Sequence, residues 1–305
     1  CIRDSLNTVD FYFTPKVTNR NGNQILTFTA SVSSSQFIVF EYKINADSYI
    51  IDFSIRSEGM SRLINTREQQ NISWDLKAFR NSKSIEYENR YHELTYSFDD
   101  NKIDYLSVSS SDEEEDSDVH WIAFKQHFFN SILIPEKSFD SVRFTSENLL
   151  DSDIVDQKFT KKYHAEIPVI ATGEIFQNFQ WYFGPTEYKT LARYNLGIEE
   201  SIDFGWGIFG WINKYIFVPT FNFLSSFLPY GIAIIIMTVL VRLVMSPVTY
   251  KSYVSQIKMK VLKPEVDVIS EKYKDDSVKR QQETMALYSK AGANPMSGCL
   301  PALIQ

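Results

Sequence analysis

Residues 230–248, YGIAIIIMTVLVRLVMSPV, are apolar except for Thr238, Arg242 and Ser246, and Arg242 is the one charge among them. About 20 residues at ~1.5 Å rise cross a hydrocarbon layer of ~30 Å. The run therefore predicts a transmembrane helix over 229–249, with Pro247 near its end, where losing one backbone hydrogen bond is tolerated. Counted from Tyr230, Arg242 sits about 18 Å along this helix and roughly 10 Å from its far end. Two readings of the arginine stay open on spacing alone. Its long side chain can stretch to the nearer headgroups, or it faces a protein interior or a wet cavity, since exposure to lipid costs ~3 kcal/mol or more.

Charge on the two flanks sets the orientation. Residues 250–291 carry nine lysines and arginines against six acids, whereas the whole chain is at −7. A basic C-terminal flank and an acidic N-terminal region place 250–291 in the cytoplasm and residues 1–228 outside it. The flank reads as two helices. Val254, Ile257, Val261 and Val268 recur at helical steps, as do Leu262, Val266, Ile269 and Tyr273, with Pro264 bending the first helix. "KDDS" (274–277) is the break, Asp276 or Ser277 the N-cap of the second helix, and Gly292 its terminating residue. A tight turn between short helices makes an antiparallel hairpin, held together mostly by its apolar stripes, with one stripe kept for a partner as the less favoured reading.

Residues 1 to about 200 alternate as half-buried strands do. Leu26, Phe28, Ala30 and Val32 share one face; so do Tyr49, Ile51, Phe53 and Ile55; so do Leu94, Tyr96 and Phe98; Val142 and Phe144 repeat the pattern more weakly. Turn clusters such as "NRNGN" and "SFDDNK" separate the runs, which predicts a large antiparallel sandwich. The acidic run "SSSDEEEDSD" (109–118) reads as a solvated loop, because like charges repel one another. Between the sandwich and the apolar run, residues 203–228 hold nine aromatic side chains, with Tyr230 a tenth just beyond, Lys214 being the one basic group. That density suits an amphipathic helix in the headgroup layer, anchored by Trp206, Phe209, Trp211 and Phe217, with Pro219 kinking it.

Cys1 and Cys299 are the only cysteines, so neither a disulfide framework nor a metal motif can be built. Cys1 reads as a fragment boundary or a lipidated start, and the ending "GCLPALIQ" leads us to expect a longer parent chain. The four histidines, His92, His120, His127 and His164, fall in no metal or nucleophile motif, and His127 reads as a strand residue. There is no phosphate-cradling glycine loop. No cofactor, metal, small-molecule substrate or nucleic-acid specificity is expected.

The stretch "GIAIIIMTVLVRLVMSPVTYKSYVSQIKMKVLKPEVDVISEKYKDD" followed by "QQETMALYSKAGANPMSGCLPALIQ" closely resembles the bacterial YidC membrane-protein insertases. Upstream, "WIAFKQHFF", "WYFGPTEY" and "DFGWGIFGWINKYIF" look like that family's periplasmic domain and surface helix. The resemblance implies a β-supersandwich over 1–202, an amphipathic interfacial helix over 203–228, the transmembrane helix 229–249, a cytoplasmic helical hairpin over 250–291, and the start of a next transmembrane helix over 292–305. It implies an ATP-independent insertase of the bacterial inner membrane, not a chemical catalyst. Arg242 would line a hydrated groove open to the cytoplasm and to lipid. Lys258, Lys260, Lys263, Lys272, Lys274, Asp275 and Asp276 of the hairpin would meet nascent membrane proteins or the ribosome, and a Sec translocon is a further expected partner. Two other classes fit the same layout: a transmembrane sensor, and a carbohydrate-binding or carbohydrate-processing protein with an external sandwich.

Overall fold

A computed structural model of the chain describes residues 7–20, 22–64, 69–151, 157–169 and 173–292. The expected start of a further helix at 292–305 thus lies, beyond Gly292, outside the described residues. The chain divides into two compact units, residues 1–203 and 204–305.

The first unit is an antiparallel β-sandwich. Nine strands form one sheet in the order β1 (Thr14–Arg20), β2 (Asn23–Ser33), β3 (Gln36–Asn45), β4 (Ile50–Glu58), β13 (Phe176–Pro185), β10 (Phe129–Pro135), β9 (Val119–Lys125), β6 (Glu93–Phe98) and β7 (Lys102–Tyr105). Four strands form the other, in the order β5 (Gln70–Phe79), β12 (Phe159–Val169), β11 (Val142–Asn148) and β8 (Asp112–Asp116). Alternation delivers one apolar face of each sheet to the interface. Phe53, Ile55, Leu94, Phe124, Leu133 and Phe179 come from the large sheet, and Val142, Phe144, Tyr163, Ala165 and Ile167 from the small one. Trp74 stacks on Phe124 with ring centroids 3.7 Å apart, and Tyr96 on Phe144 at 4.3 Å.

Strands β9 and β10 are buried on both faces, which simple alternation did not anticipate. Trp121, Ala123, Ile132 and Ile134 point away from the small sheet, and Leu191 and Ile198 from the segment after β13 cover them. That segment holds helix α2 (Tyr188–Ala192) and a 3-10 turn, Ile198–Ser201. Two of the expected face memberships end early: Val32 is exposed near the end of β2, and Tyr49 is exposed just before β4.

The acidic run is a strand, not a loop. Residues 112–116 pair with β11, and the period of two sorts their charges. Glu113 and Glu115 face outward to Arg143, at 3.8 and 3.2 Å. On the other face the buried Tyr96 hydroxyl donates to Glu114 at 2.7 Å and to Asp116. Repulsion is relieved because each face has its own donor. His127 is likewise not in a strand; it lies in the turn between β9 and β10.

A short helix, α1 (Ile85–Asn89), closes one edge of the sandwich and buries Glu88. Burial by itself raises that carboxyl's pKa, but N–H groups of Ser82 and Asn81 donate to it and its pKa ends below the usual value. His92, fully buried, bonds through Nδ1 to Thr160 Oγ1 and lies 3.8 Å from Glu88. Burial lowers its pKa from 6.5 to about 4. The unfolded chain therefore takes up a proton near pH 6.5 that the folded domain refuses until about pH 4. Stability is full above that window and falls as pH drops through it, by roughly 1.4 kcal/mol per pH unit at most. Thermal melts of wild type against His92→Gln check this: the variant is expected to lose most of the slope between pH 6.5 and 4.

The second unit is helical. Helix α3 (Gly207–Ile212) runs into a π-turn, Asn213–Phe217, and then into α4 (Val218–Ser225). The π-turn lies just before Pro219, which occupies the first turn of α4, where a missing N–H is tolerated. Gly210 must lack a side chain, since a Cβ there would stand 2.0 Å from the Gly205 carbonyl oxygen. Asn213 Nδ2 donates to the Phe204 carbonyl at 2.8 Å and ties the same turn.

Candidate functional site

Helix α5 runs from Tyr230 to Val261, well past the expected end at 249. Pro247 lies inside it without ending it. The carbonyl that Pro247 cannot serve belongs to Leu243, four residues back, and the Ser246 hydroxyl donates to that oxygen at 2.8 Å. A neighbouring hydroxyl thus repairs the ladder, and the helix continues into the basic flank. Ser246→Ala removes the repair and is expected to destabilise α5 at Pro247 by about 1–2 kcal/mol. Faster amide hydrogen exchange over 243–250 is the readout.

The polar residues of the span share one face. Thr238, Arg242 and Ser246 follow at i, i+4 and i+8, and Thr249 extends the stripe. Thr238 and Thr249 donate to their own helix, to Ile234 O at 2.8 Å and Met245 O at 2.9 Å. Their hydroxyls are thereby occupied, and the guanidinium is the group left to act outward. Arg242 is exposed and makes no ion pair among the described residues. The rest of the helix surface is apolar and uncovered, with Ile235, Leu243 and Val244 all exposed. At the N-terminal end, Ala233 of α5 and Leu224 of α4 are buried, and Phe221 stacks on Tyr230 at 6.0 Å. The four-residue spacing of the stripe was present in the sequence. Thr249 as its extension, and Ser246 as the partner of Pro247, were not read from it.

The flank folds as a hairpin whose first arm is the end of α5 continued by a second helix. Helix α6 (Lys263–Lys272) begins directly after Leu262 with Pro264 in its first turn, so the helical run of this arm is interrupted at the proline. Asp276 caps α7 (Ser277–Lys290) by accepting the Lys279 N–H at 3.0 Å, and Gly292 follows with φ of +62°. Lys258 Nζ donates to Ala291 O at 3.2 Å and Gly292 O at 3.4 Å, which neutralises the carbonyl end of α7. Lys272 and Lys279 both stand 5.4 Å from the centre of the Tyr273 ring. Lys260, Lys263, Lys274 and Asp275 are exposed. Of the two apolar stripes, Leu262, Val266, Ile269 and Tyr273 are half-buried, whereas Ile257, Val261 and Val268 remain exposed, as do Val278 and Met285 on α7. The stripes were expected mostly to close the hairpin; a two-helix contact has room for one, and the other is left exposed.

Of the expected surface anchors, Trp206, Phe209 and Trp211 are exposed and Phe217 is partly covered. Trp206 and Phe209 contact at 5.8 Å, as do Trp211 and Tyr215. Among the described residues no cluster of His, Cys, Asp and Glu could hold a metal ion.

An acidic sandwich, an aromatic helical segment, and an apolar helix with one exposed arginine running into a basic hairpin are thus joined in one chain. Residues 4–219 match the family model described as the YidC periplasmic domain, and residues 222–305 the model described as 60Kd inner membrane protein. The chain belongs to the YidC family. A membrane protein insertase YidC of Bacteroides fragilis is 37% identical over 99% of this chain and 50% of its own length. One from Parabacteroides distasonis is 34% identical over 98% and 49%, and one from Porphyromonas gingivalis 30% identical over 98% and 50%. The chain therefore spans about half the length of the curated relatives it matches. A solved heparan sulfate lyase from Pedobacter heparinus, 13% identical with a TM-score of 0.30 over 56% of this chain and 21% of its own, is too distant to carry an argument. Within the YidC family the sandwich is the periplasmic domain and α5 the inner-membrane span that follows it.

Proposed function

We propose that this chain is the substrate-receiving half of an ATP-independent insertase, which places newly made proteins in the inner membrane. The observation that carries the reading is the exposed Arg242, without an ion pair among the described residues, on the polar stripe of an otherwise apolar span. Moving a hydrophilic segment past hydrocarbon is the costly step of insertion. A wet groove along the Thr238–Thr249 face shortens the apolar distance, and the guanidinium attracts acidic residues of the arriving segment. That attraction is several-fold stronger in a low-dielectric surround than in bulk water. The apolar part of the substrate then moves sideways into lipid, which supplies the driving force.

The hairpin 250–291 is the cytoplasmic receiving surface for nascent chain and ribosome. Lys260, Lys263, Lys274 and Asp275 are its outward groups, and the stripe of Ile257, Val261 and Val268 offers apolar contact beside them. Lys258 and Asp276 act by holding α7 in place. Trp206, Phe209, Trp211 and Phe217 anchor the segment before α5 at the outer headgroups. The Sec translocon is a further partner of the full-length protein.

A photoreactive amino acid at position 242 of the full-length protein tests the reading. Crosslinks to ribosome-bound nascent membrane proteins are expected, and labelling by aqueous reagents at the same position. A position 242 sealed from water and silent toward nascent chains would sink it.

A further inference from the structure

The cytoplasmic half of α5 is in helical register with the half that crosses the membrane, because the helix runs without a break from Tyr230 to Val261. At ~3.6 residues per turn and ~1.5 Å rise, eighteen residues make about five turns, so Lys260 returns to the face of Arg242 about 27 Å further along. Between them on that face, at alternating steps of four and three residues, come Ser246, Thr249, Tyr253 and Gln256. All six carry a hydrogen-bonding side chain; Thr249 and Gln256 are half-buried and the other four exposed. A second line runs beside this one: Leu243, Tyr250 and Ile257 at seven-residue steps, then Val261, all exposed. Seven residues fall only about 20° short of two turns, so the polar and apolar lines stay side by side along the helix.

Helix α5 carries Arg242, Lys251, Lys258 and Lys260 and no acid. Lys258 is taken up by the carbonyl end of α7. Lys251 stands nine residues from Arg242, about two and a half turns, and so lies on the opposite face. Lys260 is the cation that remains on the polar line, exposed and without an ion pair among the described residues. The acids of the flank, Glu265, Asp267, Glu271, Asp275, Asp276 and Glu283, make no ion pair with it. At physiological salt the field of an exposed charge fades over ~8 Å. Across about 27 Å, Lys260 therefore adds nothing to the attraction at Arg242, and the two can act on one acidic residue only in succession.

We propose that Lys260 is the entry station of the insertion path, a substrate-positioning residue that takes up an acidic residue of the arriving segment in the cytoplasm and passes it along the polar line to Arg242. The inference rests on the reading of Arg242 given above and adds an order of events and a substrate class to it. The apolar line receives the hydrophobic stretch next to that acid, so the favoured segment has a carboxylate beside an apolar run. An extended chain rises ~3.3 Å per residue and covers the distance between the two cations in about eight residues.

The test uses the full-length protein in phospholipid vesicles, with a photoreactive amino acid at position 256 or 238. Each lies about one turn before its cation, so both charges stay in place. Ribosome-bound nascent chains are stalled at stepped lengths, with one aspartate in an N-terminal tail ahead of an apolar segment, or asparagine in its place. Crosslinks to the aspartate tail are expected first at 256 and, about eight residues of chain later, at 238. Lys260→Gln is expected to lower the signal at 238 about five-fold for the aspartate tail, Lys260→Arg to keep it, and neither to change the asparagine tail. Lys251→Gln, on the opposite face, is expected to have no effect. The proposal is overturned by crosslinks that appear together at both positions, by an equal loss for the asparagine tail, or by an equal effect of Lys251→Gln. A signal at 238 that ignores Lys260 overturns it too and leaves the reading of Arg242 standing, whereas silence at 238 in the otherwise unsubstituted protein removes both.

Discussion

Arg242→Glu in the full-length protein is expected to abolish insertion of substrates with acidic translocated segments, while Arg242→Lys retains part of the activity. A guanidinium about 5 Å from a carboxylate at an effective dielectric near 20 is worth about 3 kcal/mol, or about two orders of magnitude in rate. Glutamate turns that attraction into repulsion of similar size. Lysine keeps the charge and loses the planar fork that holds a carboxylate through two bonds. Because Arg242 is exposed and makes no ion pair among the described residues, the substitution breaks no visible contact within the chain. Protease protection of a translocated acidic tail measures the effect. Equal insertion by wild type and Arg242→Ala would remove the arginine from the mechanism.

Phe144→Ala is expected to destabilise the periplasmic sandwich by about 3–5 kcal/mol, a third or more of a typical domain's stability. Phe144 is fully buried, and its ring spans the space between the sheets to stack on Tyr96 at 4.3 Å and 18°. Removing it leaves a cavity between two rigid layers that cannot close on it. The loss also loosens Tyr96, whose hydroxyl donates to Glu114 and Asp116. Burial raises the pKa of that hydroxyl far above its usual value, and the two carboxylates add to the effect, so it stays a donor at any physiological pH. Thermal unfolding of the variant checks the size. A loss below about 1 kcal/mol would mean that the sheets close over the gap.

The local patterns in the chain were enough to give its main divisions. An apolar run fixes a membrane helix through length alone, and alternation in "SYIIDFSIRS" or "ELTYSF" fixes strands with one buried face. Asp276 and Gly292 announced the ends of α7, because a capping side chain or a positive φ acts within a few residues of itself.

What the tertiary structure decided are the places where the partner is distant in sequence or the compensation lies next door. The acidic run became a strand because Arg143 and Tyr96, far along the chain, supply donors to its two faces. Pro247 failed to end a helix because Ser246 took its orphaned carbonyl. Lys258 became a cap because α7 returns to it. The stacking of His127 on Tyr91 was invisible in one dimension, since the β9–β10 turn and the end of α1 lie far apart in the chain. Short-range periodicity and capping are properties of neighbouring residues, so the sequence carries them openly. Charge compensation and surface patches depend on which strands meet, and folding alone settles that.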